Sequence, residues 1–425
     1  MDLLIKDGHV IDPGQNLDGI MDILVEKGLI KKIGPNIPEN GARVISAKGL
    51  IVAPGFIDMH VHLREPGFEN KETIATGTRA AAAGGFTSVA CMPNTNPVVD
   101  NQSVVEFILS KAELEGVVNV FPIGAITKNL EGVELSNIGE LRQAGAVGIS
   151  DDGKPVQSAE IMRRAMQYAR MFDLPVIDHC EDKTLTVDGV MHEGVVATKL
   201  GLPGMPSVAE EVMVRRDIAL ARGTGCHFHA AHVSTWEAVA AIRNAKKAGI
   251  RVTAEATPHH FILDHEALLT YSTMTKMNPP LRGKEDVEAV REGLADGTID
   301  AIATDHAPHG PLDKDVEFQQ AAFGIVGLET ALGLTLTFLV KPGILTLSQA
   351  ISRFTGGPSR ILGLNRGALK EGMPADITLF DPDVEWVVDR EKFKSRSKNT
   401  PFHNWKLNGR AVTTIVNGKI AYELK

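Results

Sequence analysis

Cysteine is scarce in this 425-residue chain, with only Cys91, Cys180 and Cys226 present and no C-x-x-C spacing among them. That excludes a disulfide framework and reads as three buried free thiols. Long apolar runs are missing as well. The most apolar stretch, Ile325 to Val340, is 16 residues long and carries Glu329, too short and too polar to span a bilayer. Positive charge is in deficit, with a formal net charge of -9. The chain therefore has no electrostatic footprint for nucleic acid and little attraction to an anionic membrane surface. The N-terminus lacks the basic start and apolar core of a signal peptide, so the cytoplasm is the expected compartment. Neither G-x-G-x-x-G nor G-x-x-x-x-G-K-[ST] occurs, which argues against a doubly wound nucleotide-binding sheet.

What is present is a chain with 43% hydrophobic residues, ample for a large core. The first fifty residues read as short strands and turns. Leu3-Leu4-Ile5 and His9-Val10-Ile11 flank Lys6-Asp7-Gly8, a hairpin signal, and near the end Thr413–Val416 and Lys419–Tyr422 flank Asn417-Gly418 in the same way. Residues 1–50 and 363–425 are expected to join as one small β-sandwich, since chain ends tend to lie close together.

Between them, eight short apolar runs alternate with helix-like segments: Leu50–His62, Thr87–Asn94, Val118–Ile126, Val147–Asp152, Val176–His179, His227–His232, Val252–Thr257 and Ala301–Asp305. Val104, Val105, Ile108, Leu109 and Ala112 form one apolar helical face, and Ile161, Met162, Ala165, Met166 and Ala169 another. Ser234-Thr235-Trp236-Glu237 has the spacing of a capping box. This alternation predicts an α/β fold, a (β/α)8 TIM barrel over residues 51–362.

Barrel active sites sit at the C-terminal ends of the strands, and those ends are rich in ligand-type residues. His60 and His62, two apart on a strand, point to one face. Asp151-Asp152, Asp178-His179, His229 with His232, and Asp305-His306 end four further runs. Neutral imidazole and carboxylate are suitable zinc ligands, and their recurrence at five strand ends predicts a metal site. Arg64, two residues beyond His62, shares its face if the strand continues, and its fork suits a carboxylate. His227, His229 and His232 cannot be separated by spacing alone. His259 and His260 are left without a role.

Asp58-Met59-His60-Val61-His62-Leu63-Arg64-Glu65-Pro66 resembles the first signature of the dihydroorotase family of amidohydrolases. Ala303-Thr304-Asp305-His306-Ala307-Pro308-His309, followed by Lys314, is similar to the second. The likeness runs over nearly the whole chain, through Asn94, Asp151-Asp152-Gly153, His232-Val233-Ser234-Thr235, Phe323-Gly324 and the tail from Gly367 to Ile377. It implies a TIM barrel with one or two zinc ions per chain. His60, His62 and Asp305 would hold one ion, and His179 and His232 the other. Asp152 would stand between them, with Asp151 as the alternative, where many relatives use a carboxylated lysine; Lys154 lies beyond the turn. The implied reaction is the reversible cyclisation of N-carbamoyl-L-aspartate to L-dihydroorotate, a step of pyrimidine biosynthesis, by zinc-activated water. Asp305 would be the general base and then acid, and His62, Arg64, Asn94, Asn278, His309, Phe323 and Gly324 the substrate contacts. Self-association and a complex with aspartate transcarbamoylase are the implied partners. The rival readings are a dihydropyrimidinase, hydantoinase or allantoinase, and a non-catalytic scaffold for the transcarbamoylase.

Overall fold

In a computed structural model, which describes residues 2–424, the start of the chain folds as β1 (Leu3–Asp12), β2 (Leu17–Glu26), β3 (Leu29–Gly34), β4 (Arg43–Ser46) and β5 (Ile51–Pro54). The hairpin expected at Lys6-Asp7-Gly8 is not formed. β1 runs straight through that tripeptide, and its register against β2 shifts between Ile5 and Gly8. Asp7 adopts φ 59 and its N–H is captured by Asp22 Oδ1 at 2.9 Å, so the turn-type residues make a β-bulge. The bulge gives β1 two parallel partners on one side: β4 along Leu3–Lys6 and β5 along His9–Val10.

The run Leu50–His62 is two strands. They part at Gly55, where a Cβ would lie 2.1 Å from Thr87 Oγ1, a contact only glycine permits. β6 (Phe56–Val61) then opens a parallel sheet with β7 (Phe86–Cys91) and β8 (Asn119–Pro122). A second parallel sheet takes β9 (Ile149–Ser150) and β10 (Val176–Asp178), makes an excursion in which β11 (Met191–His192) pairs with β12 (Gly204–Met205), and resumes with β13 (Phe228–Ala230), β14 (Val252–Ala256) and β15 (Ala301–Ile302). Single bridges close both seams. Ser150 N–H donates to Gly124 O at 2.9 Å on one side, and His62 N–H to His306 O at 2.9 Å on the other. The ring of eight parallel strands is the expected barrel.

Two of the outer helices follow the sequence pattern. Gln102–Glu115, capped by Asn101, buries Val104, Val105 and Ile108. Ala159–Arg170, capped by Ser158, buries Met162, Ala165, Met166 and Ala169. The capping box at Ser234 is displaced by one residue. Thr235 caps the helix Trp236–Lys247, and the buried carboxylate of Glu210 takes the N–H and the hydroxyl of both Ser234 and Thr235.

The chain returns to the first sheet as β16 (Ile377–Val387), β17 (Lys406–Val416) and β18 (Lys419–Glu423). Asn417 and Gly418, both at positive φ, close the expected two-residue hairpin between β17 and β18. β16 pairs with β5, so both chain ends share one eight-stranded mixed sheet. Leu3, Ile5, Ile23, Val52, Ile377 and Ile415 are packed into its core. No helix among the described residues is long and apolar enough to cross a membrane.

Candidate active site

The C-terminal ends of five barrel strands bring six sequence-predicted side chains to one place, all of them buried. His60 lies within β6 and His62 one residue past it; Asp152, His179, His232 and Asp305 follow β9, β10, β13 and β15. Asp152 is the hub. Its Oδ1 lies 3.4 Å from His60 Nε2, 3.6 Å from His232 Nε2 and 3.9 Å from His179 Nδ1, and its Oδ2 lies 3.6 Å from His62 Nε2. Asp305 Oδ1 meets His62 Nε2 at 3.0 Å and His60 Nε2 at 3.7 Å. His179 Nδ1 faces His232 Nε2 at 3.0 Å.

The two aspartates next to each other after β9 have different fates. Asp151 turns away from the cluster and accepts from Ile126 N–H at 2.8 Å, Thr127 N–H at 3.0 Å and the Thr127 hydroxyl. Asp152 faces the histidines. Lys154 is exposed beyond the turn. Of the three histidines on the sixth run, His232 reaches the cluster at φ 32. His227 and His229 both bond to the Thr253 hydroxyl, at 2.8 and 2.9 Å. His260 is spent on Thr257 Oγ1 and Pro279 O at 2.8 and 2.9 Å, while the buried His259 leaves its Nε2 without a partner.

Charge holds the cluster in a definite protonation pattern. Burial pushes the Asp152 carboxyl up, but His60 and the bond to His232 outweigh it and hold it well below the usual carboxylate range. For Asp305 burial is likewise outweighed, by the bond to His62 and the charge of His60, and its carboxyl is lowered. His60 runs the other way: burial lowers it, but Glu255 and Asp152 raise it well above an ordinary imidazole. Both aspartates are therefore anionic at neutral pH, and the site attracts positive charge.

The residues fit a divalent cation. His60, His62 and Asp305 offer three ligand atoms within 4.8 Å of one another, and His60, Asp152 and His232 offer a second such set. His60 Nε2 is buried and has no hydrogen-bond partner among the described residues, a costly condition for a polar atom unless it serves as a ligand. Carboxylates orient the rings from behind, as in metal sites: Glu255 Oε1 lies 2.6 Å from His60 Nδ1, and Glu181 Oε2 lies 2.8 Å from His179 Nε2.

The cluster opens into a cavity of about 300 Å3 lined by His62, Asp152, His179, His232 and Asp305 together with Arg64, Asn94, Asn278, His309, Phe323 and Gly324. The route by which Arg64 arrives differs from expectation. β6 ends at Val61, so no strand face carries it; Arg64 turns in through a left-handed backbone, φ 61. Its Nε donates to Pro308 O at 3.2 Å and Nη2 to His309 Nε2 at 3.3 Å, which leaves part of the guanidinium fork free. Burial, with the charges of Arg64 and Lys314, pushes His309 down to about 2, so its ring is neutral and accepts from Arg64. Asn94 bridges His62 Nδ1 at 3.0 Å and Asp152 Oδ2 at 3.3 Å. Asn278 Nδ2 donates to Glu181 Oε2 at 2.9 Å and lies 3.2 Å from His179 Nε2. The segment 310–320 is pinned: the buried Lys314 ammonium donates to the carbonyls of Thr273, Lys276 and Ala322.

Sequence reasoning missed Glu255, Glu181 and Lys183, the last lining the cavity and donating to Glu181 Oε2 at 2.6 Å. A glutamate in the middle of the apolar run Val252–Thr257 was a readable signal, because a buried carboxylate needs a partner. Glu181 and Lys183 carried none.

Residues 49–238 match the model of a dihydro-orotase-like family. A dihydroorotase of Acetivibrio thermocellus is 57% identical over 423 residues, covering 100% of this chain and 99% of its own. One of Syntrophotalea carbinolica is 55% identical, covering 100% of both. Among solved structures, the L-hydantoinase (dihydropyrimidinase) of Arthrobacter aurescens aligns with a TM-score of 0.90 at 26% identity, covering 99% of this chain and 96% of its own. A dihydropyrimidinase of Brevibacillus agri, with a TM-score of 0.87 at 23% identity over 100% of this chain and 95% of its own, shares the fold.

Proposed function

The chain belongs to the dihydroorotase family, and we propose on that premise that it interconverts N-carbamoyl-L-aspartate and L-dihydroorotate in pyrimidine biosynthesis. The observation that carries this substrate is a guanidinium, Arg64, lining the same cavity as Asp152, Asp305 and the histidines. Arg64 is half-buried, and a partly desolvated cation gains from an anionic partner; the dihydroorotate carboxylate would supply it, while dihydrouracil and hydantoin have none.

His60, His62 and Asp305 would hold one zinc ion, and His179 and His232 a second, with Asp152 between them. Zinc bound there acts as a Lewis acid that polarises a carbonyl and acidifies water. The chain's own groups do the rest. The free part of the Arg64 fork binds the substrate carboxylate and sets the ring's orientation, with His309 holding that fork in place. Asn94 and Asn278, each already bonded to the cluster, present their amides to the substrate's polar edge, and the backbone of Phe323 and Gly324 borders the ring. Asp305, kept anionic by its histidine neighbours, takes a proton from the attacking water as its oxygen bonds to the ring carbonyl carbon. It returns that proton to the ring nitrogen as the carbon–nitrogen bond breaks. Cyclisation is the same sequence reversed.

The reading includes a cytoplasmic location, which the three buried free cysteines support. It also includes self-association or association with an aspartate transcarbamoylase, tested by the mass of the purified chain alone and mixed with that enzyme. The decisive assay compares metal-loaded protein on dihydroorotate, dihydrouracil and hydantoin, for wild type and Arg64→Met. Wild type is expected to prefer dihydroorotate, and Arg64→Met to lose on the order of 100-fold or more in kcat/KM on it. Equal or better turnover of the uncharged rings by wild type overturns the reading.

A further inference from the structure

We infer that Asn399 is a positioning residue that sets the separation of the two loops forming the substrate side of the cavity. This rests on the reading that His309 and Gly324 border the substrate. Asn399 comes from the segment between β16 and β17, far in sequence from either loop, and is 3% exposed. It does not line the cavity. Its side chain is wholly spent on backbone. Oδ1 accepts from His309 N–H at 3.1 Å, and Nδ2 donates to Ala307 O at 3.0 Å and Gly324 O at 3.2 Å. Its own carbonyl accepts from Val326 N–H at 2.9 Å.

The loop after β15 carries Ala307 and His309, and the other loop carries Gly324 and Val326. They touch directly through Ala307 N–H and Ile325 O at 2.8 Å, and Asn399 adds the clamp. The pattern is selective. One acceptor faces one N–H and two donors face two carbonyls, which only a primary amide in this orientation satisfies. An aspartate would oppose two carbonyls with a carboxylate, and an aliphatic side chain would strand two buried carbonyls and one part-buried N–H. The connection to chemistry is short, since the His309 ring receives Arg64 Nη2 at 3.3 Å. A shift of the His309 backbone therefore moves the guanidinium proposed to hold the carboxylate.

The test is steady-state kinetics on dihydroorotate with metal-loaded Asn399→Asp and Asn399→Ala, alongside His309→Ala and the double variant of His309→Ala with Asn399→Asp. Asn399→Asp preserves volume and serves if the alanine variant fails to fold. KM is expected to rise on the order of tenfold or more, with kcat within about threefold and metal content at the wild-type level. In the His309→Ala background the effect of Asn399→Asp is expected to shrink, because the two act through one path. If His309→Ala raises KM while Asn399→Asp leaves it unchanged, or lowers kcat only in step with the folded fraction, the inference about Asn399 fails alone. If wild type does not turn over dihydroorotate, or His309→Ala leaves KM unchanged, the underlying reading fails and this inference with it.

Discussion

Nδ1 of His60 and Oε1 of Glu255 lie 2.6 Å apart with both side chains fully buried. The pair joins two strands on opposite sides of a seam of the barrel, β6 and β14, and fixes which imidazole nitrogen faces the cluster. With Nδ1–H donated to Glu255, Nε2 is the nitrogen turned toward Asp152 and Asp305, and losing its proton would free a lone pair for a metal. Oε2 of Glu255 also lies 3.3 Å from His229 Nε2, although the two are not aligned for a hydrogen bond.

Glu255→Gln is therefore expected to weaken metal binding by on the order of 10- to 100-fold without removing any ligand. The amide keeps the size of the side chain but loses the charge that favours the Nδ1–H tautomer. Competition with a chromogenic chelator measures the change, and an affinity equal to wild type contradicts the orienting role.

Gly324 carries a different constraint. Its φ is 110 and a Cβ there would fall 2.6 Å from Ala307 Cβ, so Gly324→Ala meets both a forbidden backbone region and a clash between the loops that carry Ala307 and Gly324. The expected cost is about 1–3 kcal/mol, read as a lower unfolding midpoint, with a raised KM as the loops part. A variant as stable as wild type and unchanged in KM refutes that account.

Lys314 makes the protein's stability depend on pH. Burial, followed by the charge of Lys276, lowers its ammonium from 10.5 to about 7. Below about 7 both folded and unfolded chains hold the proton, and the folded state bears the full cost of the buried charge. Between about 7 and 10.5 the unfolded chain binds more protons, so this lysine makes stability rise with pH, by about 1.4 kcal/mol per unit of separation. Denaturant unfolding at pH 7 and pH 9 is expected to show wild type gaining stability relative to Lys314→Met. Parallel curves exclude the effect.

The barrel was legible because strand alternation and helix periodicity are local, and both reflect burial on one face. The side chains of the cluster were legible because each sits at a strand end next to a recognisable motif. What was not legible depended on distant partners. Asp7 and Gly8 look like a hairpin turn until Asp22 captures the Asp7 N–H and the strand continues. Ser234 looks like a helix cap, but the helix starts one residue later at Thr235, with the distant Glu210 bonded to both. Asn399 looks like any loop asparagine, since its partners lie some 75 to 92 residues away. Arg64 reaches its place by a left-handed turn rather than by strand alternation, so a correct location followed from an incorrect route.

Asp151 and Asp152 offer the sharpest test of which carboxylate serves the cluster, because the two are adjacent in sequence and face opposite ways. Asp151 satisfies two backbone N–H groups and a threonine hydroxyl, and burial raises it to about 6. Asp151→Ala strands those donors and is expected to cost about 2–4 kcal/mol, while metal content in the folded fraction stays at the wild-type level. Among the described residues the Asp152 carboxylate accepts only from Asn94 and otherwise faces imidazoles. Asp152→Asn removes negative charge from the centre of the cluster, so it is expected to lose bound metal and activity; in metal-free protein it also leaves the His60 charge without one of its partners, which costs stability at neutral pH. Elemental analysis per chain, paired with chemical unfolding of metal-free protein, reads both quantities on both variants. If Asp151→Ala empties the site, or Asp152→Asn keeps it full, the division of labour between the two residues is wrong, and with it the placement of the cluster's central carboxylate.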